Sequence, residues 1–187
     1  LGHRRKAVEA LLRAGDTALL AQALLAFART APDDPVVQAE ALGLAEASGL
    51  ADIVDSLMAE AAERSAGVEA RGEAIRRRAA HRLHALKDAK GAFDVLRNGA
   101  ASGDAELRDE AYRLAVREGL VEEQLAVVDD ALARAGLLAL LGKSAEALAA
   151  ADLLAEPAAA LLAAEIAALE GDVAREAAAL ERLFSTG

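Results

Sequence analysis

Short turn-forming pairs recur along this chain at intervals that suit two helices and the turn between them. The intervals are 34, 38, 32, 23 and 29 residues, and the pairs are Gly15-Asp16, Gly49-Leu50, Lys87-Asp88, Gly119-Leu120, Gly142-Lys143 and Gly171-Asp172. Glycine readily adopts the left-handed conformation that follows a helix, and aspartate can cap the next helix through its side-chain oxygen. Each pair therefore predicts the tight turn inside one helical hairpin, and the chain should hold about six hairpins.

A second set of breaks lies between these turns and marks where one hairpin joins the next. It comprises Pro32-Asp33-Asp34-Pro35, Ser65-Ala66-Gly67, Ser102-Gly103-Asp104, Asp129-Asp130 and Glu156-Pro157. Proline cannot continue a helix but is well placed to begin one. The predicted hairpins span approximately 1–31, 35–66, 68–102, 104–130, 131–156 and 157–185, within a single helical-repeat domain over residues 1–187.

The residues between the breaks favour helices over strands. Alanine and leucine number 52 and 31 of the 187 residues, whereas aromatic residues make up only 2%. Alanine and leucine are strong helix formers, and strands favour the β-branched and aromatic residues that are scarce here. The chain should therefore be all-α, and its many small contacts suit a stacked array better than a globule around one large core. The richness in alanine is also typical of a bacterial protein.

The last predicted helix carries a regular apolar stripe. The stripe consists of Val173, Ala177, Leu180 and Phe184. The charged residues off this stripe are Arg175, Glu176, Glu181 and Arg182. We expect the stripe to pack inward and the charged residues to form the polar outer face that a terminal helix of an array needs.

The first predicted helix begins in a way that is unfavourable for a natural start. No Ser, Thr, Asp or Asn precedes Leu1, and His3, Arg4, Arg5 and Lys6 place positive charge where the helix dipole disfavours it. We therefore expect the protein to be a fragment of a longer chain that continues upstream with helical sequence, and Gly187 to lie near the true end of the array.

Several segments resemble the tetratricopeptide repeat. Leu42-Gly43 is similar to that family's Leu-Gly pair, and the sequence GKSAEAL at 142–148 is similar to its hairpin turn followed by Glu-Ala. The same turn pattern recurs where Gly171-Asp172 precedes Glu176-Ala177, and where Lys87-Asp88 precedes Gly91-Ala92-Phe93. The resemblance implies a right-handed α-solenoid of about six antiparallel helical hairpins, whose first helices line a concave groove that binds proteins.

One segment differs from the rest in charge. Residues 71–97 hold eight Lys and Arg against three acids, in a chain whose net charge is −10. Arg77, His81 and His84 fall on one face of its first helix, and Arg78 and Arg82 lie beside them. If the family's register applies, this stripe lies in the groove, where guanidinium groups can grip a carboxylate with two hydrogen bonds.

The same residues have a simpler interpretation as solvated side chains with partners on their own helix. Glu73 lies four residues before Arg77, and His84 lies four residues before Asp88, which is the spacing of local ion pairs. Arg78 and Arg82 are like charges at that spacing and have no such partner. Both interpretations remain open at the level of sequence.

Two motifs that suggest a bound metal or nucleotide are incomplete. His81, His84 and Asp88 could converge on a metal, but one helix face without Cys or a fourth ligand is a weak zinc site. Gly142-Lys143-Ser144 imitates the end of a phosphate-binding loop, but Leu137 stands where the upstream glycine is required. The sequence therefore predicts no metal and no cofactor.

We predict a protein-protein interaction scaffold that binds a protein or an acidic peptide near the third hairpin and is not an enzyme. There is no Cys, no nucleophile elbow and no recognisable pair of catalytic residues. The acidic net charge disfavours nucleic acid as a partner. No apolar stretch is long enough to span a membrane, and no signal peptide is evident, so cytoplasm is the expected location.

Two alternatives remain. Residues 121–187 hold four basic and twelve acidic residues, so this end could dock on the basic middle of a neighbouring copy and give head-to-tail oligomers. The chain could also be the regulatory region of a larger enzyme or transcription regulator.

Overall fold

The computed structural model describes residues 2–101 and 103–185, and over these ranges it contains twelve α-helices and no strand. The predicted all-α array of helical hairpins is confirmed. The helices are α1 Gly2–Ala14, α2 Thr17–Ala28, α3 Pro35–Ala47, α4 Ala51–Arg64, α5 Val68–His84, α6 Ala89–Ala100, α7 Ala105–Arg117, α8 Val121–Val127, α9 Ala131–Leu140, α10 Ser144–Asp152, α11 Pro157–Glu170 and α12 Val173–Ser185.

The turns lie where the sequence predicts them. All six predicted turn positions have a left-handed backbone, with φ between 56° and 73°. Lys87 is the only residue among them that is not glycine, and its φ is 56°. Asp16 caps α2 by accepting a hydrogen bond from the Leu19 amide, and Asp88 caps α6 by accepting one from the Gly91 amide.

The predicted junctions coincide with breaks between helices. Pro35 and Pro157 are the first residues of α3 and α11. Asp104 accepts hydrogen bonds from amides at the start of α7, and Asp130 caps α9. Ser102 of the third predicted junction, and the chain ends at Leu1 and Gly187, lie outside the described residues.

The first of two compact units is Leu1–Leu107. Helices α1 to α6 pack against one another in succession, and α2 also contacts α4. The fully buried side chains here include large ones, among them Phe27, Phe93, Leu24 and Val54. This unit therefore has a core built from bulky residues.

The second unit is Arg108–Gly187, and its core is built mostly from alanine. The alanines of its main core cluster are Ala135, Ala147, Ala151, Ala163, Ala164 and Ala179. Helices α8 to α12 pack in succession, and α9 also contacts α11. The two helices of the predicted hairpin 104–130 do not pair closely. Helix α8 has only seven residues, buries none of them and packs more closely on α9 than on α7.

The predicted orientation of α12 is wrong for three of the four residues of its apolar stripe. Val173 and Phe184 of the apolar stripe are 73% and 79% exposed, whereas Ala179 is buried. Arg175 and Arg182, which the sequence suggested as part of the outer face, both bond Asp152 at the end of α10. Of the four stripe residues, only Leu180 is half-buried and packs against the core, whereas Val173, Ala177 and Phe184 face solvent.

Candidate functional site

All five predicted partner-binding residues lie on α5, but on two different faces. With 3.6 residues per turn, Arg77, His81 and His84 fall on one face, and Arg78 and Arg82 fall about a third of a turn away. Each face borders a different cavity in the first unit. The five residues that the sequence placed on one stripe therefore belong to two separate surfaces of α5.

Arg78 and Arg82 both bind Asp55 of α4. Each guanidinium donates two hydrogen bonds to its carboxylate, at 2.9 and 3.0 Å from Arg78 and at 3.0 and 2.8 Å from Arg82. Asp55 is only 6% exposed. Burial raises the pKa of Asp55, but the hydrogen bonds and charges of the two arginines outweigh it and lower the pKa to about 2.

The same network reaches α6. Arg82 donates a further hydrogen bond of 3.0 Å to Asp88, the residue that caps α6 through the Gly91 amide. A side chain at position 91 would collide with both Asp88 and Arg82 and would displace them from the network. The four charged residues thus connect α4, α5 and the start of α6.

This network lies beside a cleft of about 390 Å³ between α4, α5 and α6. Arg71, Arg78 and Arg82 line it from α5, and Glu63 and Asp94 face them from the neighbouring helices. Because positive and negative side chains are both present and Asp55 satisfies two of the arginines, the cleft has no strong preference for an anion.

The other face of α5 borders a groove of about 310 Å³ formed with α3 and α4. We call it the α3–α5 groove, and its lining residues are Gln38, Ala39, Leu42, Leu57, Met58, Ala61, Ser65, Ala70, Glu73, Ala74 and Arg77. Most of these side chains are apolar. Helices α3 and α5 are the first helices of their hairpins, which is the position that the resemblance assigns to groove-lining helices.

Arg77 lies at the rim of this groove and is 71% exposed. Its Nε donates a 2.9 Å hydrogen bond to Glu73, as the four-residue spacing predicts. No other bond to its side chain occurs among the described residues. Exposed pairs of this kind contribute little to stability, so Arg77 can exchange Glu73 for another carboxylate at low cost.

The two histidines of this face have different surroundings. His81 is half-buried, and its Nε2 lies 2.9 Å from the carbonyl oxygen of Ala51 at the start of α4. His84 is exposed. The local pair expected between His84 and Asp88 does not form, because Asp88 instead bonds Arg82 and the Gly91 amide.

Asp55 is the residue that the sequence analysis missed. It occupies the buried stripe of α4, alongside Val54, Met58 and Ala62 at helical spacing. A carboxylate at such a position needs a buried cationic partner, because an unpaired buried charge is very costly. That signal was present in the sequence and pointed to the arginines of the next helix.

Across residues 2–101 and 103–185, no group of three or more His, Cys, Asp or Glu is placed to hold a metal ion. None of the helices described there is long and apolar enough to cross a membrane.

Comparisons with known proteins add little to this picture. No family model and no curated protein matches the sequence. A tetratricopeptide repeat protein from Parabacteroides merdae matches at 14% identity, over 100% of this chain and 93% of its own, with a TM-score of 0.35. A structure described as the DHF79 filament matches at 23% identity, over 100% and 88% of the two chains, with a TM-score of 0.18. At such TM-scores the fold assignment rests on the helices themselves.

Proposed function

We propose that the protein is a protein-protein interaction scaffold, and that the α3–α5 groove binds an extended, acidic peptide segment of its partner. The observation that carries this proposal is the combination of apolar walls with an exposed arginine at the rim. An extended peptide can place alternate side chains against Leu42 and Met58 while its carboxylates meet Arg77.

The chemistry of the rim favours a carboxylate as the polar ligand. A guanidinium donates two parallel hydrogen bonds to a carboxylate, which gives direction as well as attraction. Met58 in the wall is flexible and polarizable, so it adapts to apolar side chains of different shape. The groove therefore suits a peptide that alternates acidic and apolar residues.

The other predicted residues have supporting roles in this proposal. Arg78 and Arg82 hold α4 against α5 through Asp55, and His81 bonds the start of α4. They keep the walls of the α3–α5 groove in place and do not contact the peptide. His84 lies one turn beyond His81 and extends the contact surface along α5.

The test is fluorescence polarization with a labelled peptide of alternating Glu and Leu, compared with its Lys and Leu counterpart. We expect the acidic peptide to bind and Arg77→Glu to weaken its binding by about tenfold or more, because a like charge then faces the ligand. Arg77 is exposed, so the melting temperature should barely change.

Arg71→Glu is the matched control, because Arg71 is an exposed arginine on the same helix that lines the opposite cleft. This variant should bind the peptide as the unmodified protein does. Equal affinity for the two peptides, or a loss with Arg71→Glu and none with Arg77→Glu, would refute the α3–α5 groove as the site.

A further inference from the structure

A cavity of about 220 Å³ lies beside α7 in the second unit. Helix α7 has 13 residues and α8 only seven, so they are about 20 Å and about 10 Å long. Val128 and Asp130, which follow α8, have extended backbones in place of the further helical turns that would lie along α7. The short second helix therefore leaves room next to the first, and we call this space the α7–α9 cavity.

Half of the lining of the α7–α9 cavity is apolar or aromatic. Tyr112 of α7 is half-buried there, Val127 and Val128 come from the end of α8 and the segment after it, and Ala133 comes from α9. Pockets that hold whole small-molecule ligands usually exceed about 300 Å³, so this cavity suits a single long side chain. The Tyr112 hydroxyl forms no hydrogen bond within the described part of the chain.

The charged half of the lining is negative on balance. It consists of Asp109, Asp129 and Asp130 against Arg108. Asp129 is already bonded to Arg108, with 2.8 Å between its Oδ2 and the arginine Nη1. A ligand for the α7–α9 cavity should therefore carry positive charge, because a cleft lined by one sign of charge attracts the opposite sign.

Two carboxylates of the cavity have oxygens available for such a ligand. The Asp109 carboxylate has no partner among residues 2–101 and 103–185. Asp130 accepts a hydrogen bond from the Ala133 amide through Oδ1, and its Oδ2 bonds nothing in those ranges. A bound cation would therefore displace no existing ion pair from these two residues.

We infer that the α7–α9 cavity binds an arginine side chain of a partner protein. The planar guanidinium can stack on the Tyr112 ring while its N–H groups donate hydrogen bonds to Asp109 and to Oδ2 of Asp130. The methylene stem then lies against Val127 and Val128. Lysine suits the cavity less well, because its ammonium group is strongly hydrated and does not stack flat on a ring.

This site is independent of the α3–α5 groove. The two share no lining residue, and they lie in different units of the chain. The α3–α5 groove is proposed for an acidic ligand, whereas the α7–α9 cavity requires a cationic one. Either inference can therefore fail without the other.

The fluorescence of Tyr112 reports on this cavity directly, because Tyr112 is the only tyrosine and the chain has no tryptophan. The probe is the peptide acetyl-Ala-Arg-Ala-amide, which has no aromatic group of its own. We expect a saturable change in tyrosine emission with a dissociation constant on the order of 1 mM, since one side chain makes few contacts. The counterpart with citrulline keeps the shape of arginine but lacks its charge, and it should not saturate. Equal binding of the two peptides would overturn the inference.

Asp109→Asn tests the role of the unpartnered carboxylate. It should weaken binding of the arginine peptide by about tenfold, because a charge-assisted hydrogen bond is lost. Glu122→Gln is the matched control, since Glu122 is an exposed acid of α8 that does not line the cavity. Both variants remove one negative charge at an exposed position, so neither should change the melting temperature much. Equal weakening by the two would mean that the peptide senses only net charge, and would refute the site.

Amide chemical shifts measured by NMR locate the binding by a second route that does not depend on tyrosine emission. With the arginine peptide, the shifts should change mainly in residues 108–112 and 127–133. Shifts confined to other residues would show that the peptide binds elsewhere. If neither the emission nor these amides respond at about 20 times the expected dissociation constant, the cavity does not bind arginine.

Discussion

Both units consist of helical hairpins, but different side chains stabilise them. In residues 1–107, large side chains such as Phe27 and Phe93 fill the core, and Asp55 with Arg78 and Arg82 forms a buried ionic network. In residues 108–187 the buried side chains are mostly alanine, and the ion pairs lie at the surface. The turn pattern therefore sets the hairpin, and the residues between the turns decide how it is held together.

This comparison predicts that the first unit depends on a few residues of large effect. Asp55→Ala leaves two arginines beside each other without their shared carboxylate, so it should lower the free energy of unfolding by about 3–5 kcal/mol. Urea denaturation measures the loss. Amide hydrogen exchange should show that protection falls mainly in residues 1–107.

Asp52→Ala is the control for this change, because Asp52 lies on the same helix but is exposed. Its effect should stay within about 0.5 kcal/mol. Equal effects of the two substitutions would mean that the Asp55 network does not hold the unit together.

The pH dependence of stability also tests the contribution of the Asp55 carboxylate. The folded-state pKa of Asp55, about 2, lies below its ordinary value of 3.8. The ionised carboxylate therefore stabilises the folded protein above about pH 4, and this stabilisation, of about 2 kcal/mol, is lost as the pH falls toward 2.

Comparison with Asp55→Asn isolates that contribution from the other acids. The difference in unfolding free energy between the unmodified protein and the variant should shrink as the pH falls from about 4 to about 2. A difference that stays constant over that range would show that Asp55 does not keep an unusually low pKa.

The stability of the second unit should instead be sensitive to larger side chains in its core. Ala163→Leu inserts three carbons into a tightly packed alanine core and should cost about 1–2 kcal/mol through displaced neighbours. Ala168→Leu on the same helix is the control, because Ala168 is exposed and should tolerate the change. Thermal unfolding of the two variants measures the contrast, and equal melting temperatures would mean that this core is loosely packed.

Local chemistry made most of the fold predictable. Gly15 and Asp16 determine their turn and cap by rules that involve only neighbouring residues, and the structure follows them. Lys87 was predictable as a turn from its place before Asp88, although a left-handed backbone is uncommon for lysine.

The rest depended on contacts that sequence periodicity does not reveal. Arg82 looked like a free surface charge because its partner Asp55 lies 27 residues away, on another helix. The rotation of α12 could not be predicted from its apolar stripe, since ion pairs with a residue of another helix help to set it. Arg175 and Arg182 make these pairs with Asp152, which belongs to the preceding hairpin region.

The buried network around Asp55 also gives the two units different responses to heat. The hydration of charged groups becomes less favourable as temperature rises, so the cost of keeping Asp55, Arg78 and Arg82 away from water falls on warming. An alanine core has no such desolvation cost to lose on warming, because its stability comes from apolar contacts. The first unit should therefore keep a larger share of its stability as the temperature rises.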